Sequence, residues 1–446
     1  MALARPWACP PLRNVPILGD QYTSREFFDR EWSSMWTKVW LLMGRSSELL
    51  EAGSYQVEEV GPESFIMIRQ NDGSIKAFYN VCQHRGSRLL FNNEGTSDQI
   101  VCPYHGWEWA KDGSLSQVQD PEDFIDGNPC DDMTLVEVNC ELFAGFIWIN
   151  MDPECMGLKD YLGPVWEEFE AYESHDWIRG PSSTVDVNCN WKVPQDNSCE
   201  SYHLPSVHPQ GLKWIEHSYK YCHFDWCEEG HNRMSIPMVT PSHSLTGEEL
   251  EVDDQLREML EPWGLKAEDF KGREFETRQK VQSVKRKTGS ERGYQFDQLF
   301  DDQLTDAYHY NIFPNVTLSF AGSEYIGLQR MRPHRRDPER HYYDNFMYLS
   351  HGAAKQIGAT KAEERRFFKY GTEIMNRQIA DQDLAISTGQ QLGLSSRGYS
   401  GVRLAGQEGR VQRFHDVLDE YLEGFRPVSY THLRAHETRE DLGFRG

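Results

Sequence analysis

The sequence contains no apolar run of the ~18 residues that a membrane-spanning helix requires. Its longest candidate, Leu142-Phe-Ala-Gly-Phe-Ile-Trp-Ile149, is only strand-sized. Positive charge is scarce, since 46 Lys and Arg stand against 70 Asp and Glu and leave a net charge of −24. That field repels phosphate backbones and anionic headgroups, so neither nucleic acid nor a membrane is expected as a partner. There is no Gly-rich dinucleotide fingerprint, no phosphate loop, no internal repeat and no low-complexity segment. The opening Met1-Ala-Leu-Ala-Arg-Pro-Trp-Ala-Cys-Pro10 holds no apolar stretch suited to a secretory signal. The ten cysteines are therefore expected to meet a reducing cytoplasm, where thiols point to metals before disulfides.

With 446 residues, the chain exceeds the usual domain size of roughly 100–200 residues, so at least two cores are expected. A composition of 38% hydrophobic, 26% charged and 12% aromatic residues is that of a globular protein. Phe65–Ile68 and Ile75–Val81 flank Asn71-Asp72-Gly73, a hairpin signal that delivers the chain to Cys82. Gln99–Val101 delivers Cys102, Lys111-Asp112-Gly113 makes a second turn, and Leu135–Asn139 alternates before an expected strand at 142–149. Residues 41–155 thus read as a small β domain. Residues 156–426 mix a helix-compatible start, a charged helical stretch at 248–306 and β-like runs at 308–320, 325–331 and 342–349. Helix is expected at 362–389 and 411–425, making this second domain a sheet packed with helices, α+β in class. The stretch 427–446 does not continue the pattern and reads as a non-native or disordered tail, its His432 and His436 included.

Two histidine-bearing motifs carry the chemistry. Cys82-Gln83-His84 and, seventeen residues on, Cys102-Pro103-Tyr104-His105 place one thiol and one imidazole on each of two strand-delivered loops. Two such clips are the least that a Rieske [2Fe–2S] centre needs, and the same four residues also compose a tetrahedral zinc set. The second motif, Asn190-Trp-Lys-Val-Pro-Gln-Asp-Asn-Ser-Cys-Glu-Ser-Tyr-His-Leu-Pro-Ser-Val-His208, sets two histidines five apart around Pro205. In an unbroken helix they would diverge; Pro205 is expected to break the helix after His203 and let His208 turn back. Taken alone, this spacing fits packing or a surface equally well. A carboxylate would complete a facial triad with open iron positions. Ile379–Leu394 offers Asp381 and Asp383, two residues and so roughly 200° apart on a helix.

The run Cys102-Pro-Tyr-His-Gly-Trp-Glu-Trp-Ala-Lys-Asp-Gly-Ser-Leu115, with His84-Arg85-Gly86, resembles the cluster loops of Rieske non-haem iron aromatic-ring-hydroxylating oxygenases, large (alpha) subunit. Residues 190–208 resemble the mononuclear-iron motif of that family. Residues 379–394 resemble its late helix, with Asp383 eight before Gln391 and ten before Gly393 as the family ligand is. The resemblance spans about residues 20–425. It implies an antiparallel β Rieske domain over 41–155. It also implies a helix-grip (START/Bet v1-like) catalytic domain over 156–426, on which a helical segment 1–40 packs. The implied cluster ligands are Cys82, His84, Cys102 and His105, and the implied Fe(II) ligands are His203, His208 and Asp383. Lacking the extra loop cysteines of respiratory Rieske proteins, with Tyr104 and Trp107 in place of a Cys and a Ser, the cluster is expected to have a low potential.

Two departures stand out: Asp196 sits where the family usually has Glu, and Glu200 where it usually has the Asp that bridges the two metal sites. Family members acting on quaternary ammonium substrates tend to carry Glu at that bridge. On a helix, Glu200 would share a face with His203 and accept its ring N–H, leaving a second carboxylate oxygen for His105 of a neighbouring chain. The resemblance therefore implies a ring-shaped homotrimer, with or without a small β subunit. Electrons would come from an NAD(P)H-dependent reductase, directly or through a ferredoxin. The implied activity is hydroxylation or oxidative demethylation of an aromatic substrate with O2. Quaternary ammonium or steroid substrates are the alternative, and a Rieske electron carrier without catalysis or a metal-dependent regulator are the other classes. Cys222, His223 and Cys227 lack a fourth partner and read as packed groups. The stretch His309–Asn315 is expected either to line the substrate cavity or to pack in the core.

Overall fold

The computed structural model describes residues 6–248, 250, 253–370 and 378–426; the tail 427–446 lies outside them. The chain forms two compact units, one built from Trp32–Tyr161 with His334–Arg336, the other from the segments ending at Glu31, Pro333 and Phe425. The expected cuts at 40/41 and 155/156 thus move to 31/32 and 161/162. The reason at the N-terminus is aromatic. The helices α1 (Asp20–Thr23) and α2 (Arg25–Glu31) stay with the larger unit, whereas Trp32 packs on Gly61 and Met35, Trp36 and Val39 are sealed in the smaller one.

The smaller unit is antiparallel. Strands β1 (Leu41–Arg45), β2 (Ser54–Val60), β3 (Glu63–Arg69), β4 (Ile75–Tyr79) and β5 (Glu94–Thr96) join β9 (Glu137–Phe143) and β10 (Phe146–Asn150) in the order β1-β10-β9-β4-β3-β2-β5. A second sheet holds β6 (Gln99–Val101), β7 (Glu108–Ala110) and β8 (Leu115–Gln117). The apolar run 142–149 is not one strand. Ala144 and Gly145 have φ of 52° and 79°, and this left-handed pair folds the run into the β9–β10 hairpin. The β3–β4 hairpin turns at Gly73, φ 86°, with Asp72 Oδ1 accepting the Ser74 N–H at 2.9 Å.

The larger unit continues with α3 (Leu158–Leu162), which straddles the border, then α4 (Pro164–Glu170), β11 (Ile178–Val187), α5 (Lys192–Asn197), α6 (Leu204–Val207), β12 (His223–Trp226) and β13 (Asn232–Ile236). The charged insertion forms α7 (Asp254–Leu260) and α8 (Thr277–Thr288). Four further strands follow, β14 (Ala307–Ile312), β15 (Val316–Ala321), β16 (Tyr325–Pro333) and β17 (His341–Leu349), then α9 (His351–Ile357), β18 (Arg365–Lys369), α10 (Gln378–Leu394) and α11 (Gly409–Leu422). The sheet order is β12-β13-β14-β15-β16-β17-β11-β18. Every pairing is antiparallel except β11–β18, which is parallel. The helix expected from 362 is not found at 365–369, where Arg365-Arg-Phe-Phe-Lys369 extends the sheet; residues 371–377 lie outside the described residues, and Gln378–Leu394 is helical. One face of the sheet is sealed by alternate residues such as Leu318, Phe320 and Ile326, with Tyr172 stacked on Phe320 at 3.8 Å.

An ion cluster fixes the register of β11, β16 and β17. Asp344 accepts from Arg330 Nε at 2.7 Å, Arg332 Nε at 2.7 Å and Thr184 Oγ1 at 2.6 Å, with Asp344 and Arg330 at 0% and 2% exposure. Burial alone would raise the carboxyl, but Arg332 and Arg330 outweigh it and hold Asp344 below the usual carboxylate range. Its stabilising effect is therefore complete above the unfolded value near pH 4 and fades as pH falls below it. Asp344→Ala leaves two guanidiniums without their carboxylate and should cost about 3–5 kcal/mol, read as a lowered urea midpoint at pH 7.

Candidate metal centres

In the smaller unit, the two Cys/His loops close in the same way. The N–H of Cys82 donates to Ser87 O and that of Cys102 to Trp107 O, each at 2.8 Å. Gly86 N–H returns to Cys82 O and Gly106 N–H to Cys102 O, each at 3.0 Å. Both glycines have positive φ, 73° and 71°, and neither would meet an atom within 4 Å of an added Cβ, so conformation rather than space requires them. Cys82 and Cys102 sit in the core at 1% and 2% exposure. Burial pushes both thiols up; at Cys102 hydrogen bonds with the N–H groups of Tyr104 and His105 and with the Cys82 and Ser87 side chains turn the net shift downward, whereas Cys82 stays raised.

The imidazoles of His84 and His105 lie 4.6 Å apart between centroids. His84 stacks on Trp107 at 4.3 Å and 4°. The Nδ1 atoms of both histidines are buried without a hydrogen-bond partner. Buried imidazole nitrogens left unpaired are costly, and two thiols beside two such nitrogens fit a [2Fe–2S] group held by two thiolates and two imidazoles.

In the larger unit, His203, His208 and Asp383 each present a ligand atom within 4.8 Å of the others. His208 Nε2 lies 2.9 Å and His203 Nε2 3.6 Å from Asp383 Oδ1, the rings inclined at 77°. The outward nitrogens are held too, His203 Nδ1 2.6 Å from Glu200 Oε1 and His208 Nδ1 2.9 Å from Gln382 Oε1. This arrangement sets each tautomer so that Nε2 faces the third donor, and it fits an iron site of two imidazoles and one carboxylate.

Local structure departs from the sequence reading at two points. Pro205 does not break a helix after His203; it lies in the first turn of α6, where a missing N–H costs nothing, and His208 follows that short helix. Glu200 is not on a helix, and it reaches His203 from a turn in which its Oε2 accepts the backbone N–H groups of Tyr202 and His203. The oxygen expected to be free is therefore engaged by backbone. Asp196, which stands where the resembled family usually has Glu, accepts from Tyr22 Oη at 2.5 Å and lies 3.0 Å from His415 Nε2.

Both arms of the triad hang from one junction. Asn190 N–H donates to Gln391 Oε1 at 2.8 Å, linking the segment before α5 to α10, which carries Asp383. Lys192 and Glu31, both at 0% exposure, pair at 2.6 Å beneath it. Sequence reasoning missed Gln382, Gln210, which donates to it at 2.8 Å, and the Glu31–Lys192 pair; uncharged amides and partners 161 residues apart leave no local pattern.

A cavity of about 130 Å³ opens on the triad, bordered by Trp214, Met234, Ile236, His309, Gln329 and Tyr343. Among the described residues its only carboxylates are Glu200 and Asp383, and no Lys or Arg borders it. Burial, aided by Arg410, pushes His309 down to about 3, so its ring is neutral there. The remaining cysteines are free thiols, and Cys222 and Cys227 are buried.

The Ring hydroxylating alpha subunit (catalytic domain) family matches residues 174–424, and the Rieske [2Fe-2S] domain matches residues 39–127. The chain belongs to the ring-hydroxylating alpha subunit family. It is 37% identical over 190 residues to the carnitine monooxygenase oxygenase subunit of Escherichia coli (strain K12), covering 42% of this chain and 50% of that protein. It is 35% identical over 204 residues to the large oxygenase component of the naphthalene 1,2-dioxygenase system of Pseudomonas aeruginosa, covering 44% of each. The chain spans about half the length of the curated relatives it matches. Its fold is that of the quaternary ammonium Rieske monooxygenase CntA, with TM-score 0.66, 20% identity and coverage of 91% and 95% of the two chains. Naphthalene 1,2-dioxygenase from Rhodococcus sp. bound to indole gives TM-score 0.62, 17% identity and coverage of 92% and 95%. The α+β class and the division into a Rieske and a catalytic domain agree with the sequence reading.

Anaerobically purified protein should carry about three irons and two labile sulfides per chain, by iron and sulfide assay. Asp383→Ala should remove one iron and leave the cluster absorption intact; Asp381→Ala, two residues away on α10, should remove none.

Proposed function

We propose that the protein is the terminal oxygenase component of a multi-component system and oxidises an aromatic substrate with O2. What carries the reading is the presence in one chain of two metal-ligand sets. One pairs two thiols with two unpartnered imidazole nitrogens, and the other joins two imidazoles and a carboxylate on a cavity. When bound, the [2Fe–2S] group on Cys82, His84, Cys102 and His105 supplies single electrons, and Fe(II) on His203, His208 and Asp383 supplies oxygen activation. Glu200 and Gln382 hold the outward ring protons of His203 and His208, keeping both Nε2 lone pairs turned to the metal. Trp214, Ile236 and Tyr343 offer an apolar wall to the reacting ring, with an uncharged His309 beside it. The absence of Lys and Arg among the described residues of the wall favours substrates without a carboxylate near the reacting carbon.

The electron source in this proposal is a separate NAD(P)H-dependent reductase, directly or through a ferredoxin, because the sequence has no dinucleotide fingerprint. The working assembly is a homotrimer, with or without a small β subunit, in which Glu200 lies on the electron path from the Rieske domain of a neighbouring chain to the iron ligands. Support comes from a CntA structure described as revealing inter-subunit electron transfer. The proposed compartment is the cytoplasm; none of the described helices is long and apolar enough to cross a membrane. A quaternary ammonium substrate is the second reading, favoured by Glu200 at the bridge and by the carnitine monooxygenase relative.

With a surrogate reductase, oxygen uptake should depend on an added aromatic compound and yield a ring-hydroxylated or demethylated product, identified by mass spectrometry. Uptake driven only by a trimethylammonium compound would replace this reading with the second. Glu200→Gln should retain both metals and the trimer while slowing single-turnover oxidation of the reduced cluster at least about tenfold, since an amide accepts the ring proton less well.

A further inference from the structure

Behind the two imidazoles of the triad stand two unlike groups. Glu200 is a carboxylate and accepts through both oxygens, Oε1 from His203 Nδ1 at 2.6 Å and Oε2 from backbone N–H groups. Turning a carboxylate over changes nothing for the ring behind which it stands. Gln382, behind His208, is an amide with one accepting end and one donating end. Which end meets His208 therefore matters.

Both hydrogen bonds of the Gln382 side chain among the described residues end on its oxygen. His208 Nδ1 lies 2.9 Å from Oε1, and Gln210 Nε2 donates to the same atom at 2.8 Å. An amide oxygen has two lone pairs, and these two donors fill them. Gln382 precedes Asp383 by one residue on α10, so it points about 100° away from the ligand side chain and reaches the back of His208. Gln210 stands two residues beyond His208, in the tight turn Pro209–Lys213. Neither glutamine borders the triad cavity.

Turned over, the Gln382 amide would set its NH2 group against His208 Nδ1. Two donors cannot bond, so the ring would carry its hydrogen on Nε2 instead, and Asp383 Oδ1, 2.9 Å from that atom, is a ready acceptor for it. The lone pair that a metal needs would then be covered. His208 bonds Gln382 in either arrangement and gains Asp383 in the second, so the histidine alone does not hold the first. The remaining partner of the amide is Gln210.

We infer that Gln210 is a positioning residue of the metal centre: the group it presents, donor or acceptor, decides which end of the Gln382 amide meets His208, and so which ring nitrogen is open to the metal. The inference rests on the triad being a metal site, as proposed above. Gln210 presents its NH2 group, the end that leaves Nε2 open. A side chain at this position that only donates locks that arrangement, and one that only accepts locks the other. The charges of such side chains act in the opposite sense, since an anion near the site attracts a divalent cation and a cation repels it. Hydrogen-bond direction and Coulomb attraction thus predict opposite orders of metal affinity.

The test equilibrates the full-length, cluster-bearing protein anaerobically with a graded ferrous chelator and assays the mononuclear iron retained, with cluster absorption followed alongside. Gln210→Lys should hold this iron within about threefold of the wild type. Gln210→Glu should hold it at least about tenfold more weakly, the loss typical of disturbed partners behind metal-bound histidines, and Gln210→Leu should fall between. A Gln382→Glu background supplies a carboxylate with no end to choose. There Gln210→Leu should change affinity by less than about twofold, whereas a merely structural role for Gln210 would cost the same in both backgrounds. Iron held by Gln210→Glu as tightly as by the wild type, or more tightly, would overturn the inference, as would an equal loss from Gln210→Leu in the two backgrounds. A wild type that holds no iron at the triad would instead overturn the metal-site reading and the inference with it.

Discussion

Six residues of α5 are gripped from both ends of the chain, and the catalytic unit is arranged around that grip. Lys192 is fully buried against Glu31 from the N-terminal helices, and Asp196 is shared by Tyr22 and His415, which arrive from opposite ends of the sequence. Immediately before α5, Asn190 is tied to Gln391 of α10 and, at 2.7 Å, to Pro338 O. A buried ion pair adds little net stability over an apolar pair of equal size, but it tolerates few alternative geometries. Rigidity here matters because His203 lies seven residues beyond Asp196 and Asp383 eight residues before Gln391. Both approach the same point from fixed ends.

The two metal centres illustrate two ways of preparing a site. In the smaller unit, preparation is by backbone: paired loops with the same hydrogen bonds and left-handed glycines present two buried thiols beside two half-buried imidazoles. In the larger unit, preparation is by side chains, where a carboxylate and an amide each hold the back of one histidine. The backbone route depends on glycine and the side-chain route on residues that sequence patterns barely mark.

That contrast explains what was legible in the sequence. The Cys82–His84 and Cys102–His105 clips were readable because ligand and loop are contiguous, and the strands of 308–349 because alternation along a half-sealed sheet is a local property. Asp383 was readable only through its spacing to Gln391 and Gly393, the first of which proves to bind Asn190. Arg365–Lys369 was misread as helix because its character as a strand comes from its parallel neighbour β11. The hairpin within 142–149 was missed because Ala144 adopts a left-handed conformation that its residue type does not advertise. The engagement of Glu200 Oε2 by backbone N–H groups was hidden for a different reason, since helical periodicity was assumed where the chain makes a turn.

The pairing of Ser319 with Gly327 has a bearing on how such a protein changes over generations. A glycine in mid-strand forgoes some stability, roughly 0.5–1 kcal/mol, and contributes no packing to its own face. Cohesion of the central strands is therefore supplied by the opposite face, where Leu318, Phe320, Ile326 and Leu328 are buried and Phe320 packs against Phe169 and Tyr172. A sheet held together from behind in this way can have its front resurfaced. Substitutions at 321 and 327 alter volume on a face that adds little to the packing, whereas Ser319 also keeps a hydrogen bond to His309 at 3.1 Å, so chemical repertoire can drift while the scaffold is inherited intact.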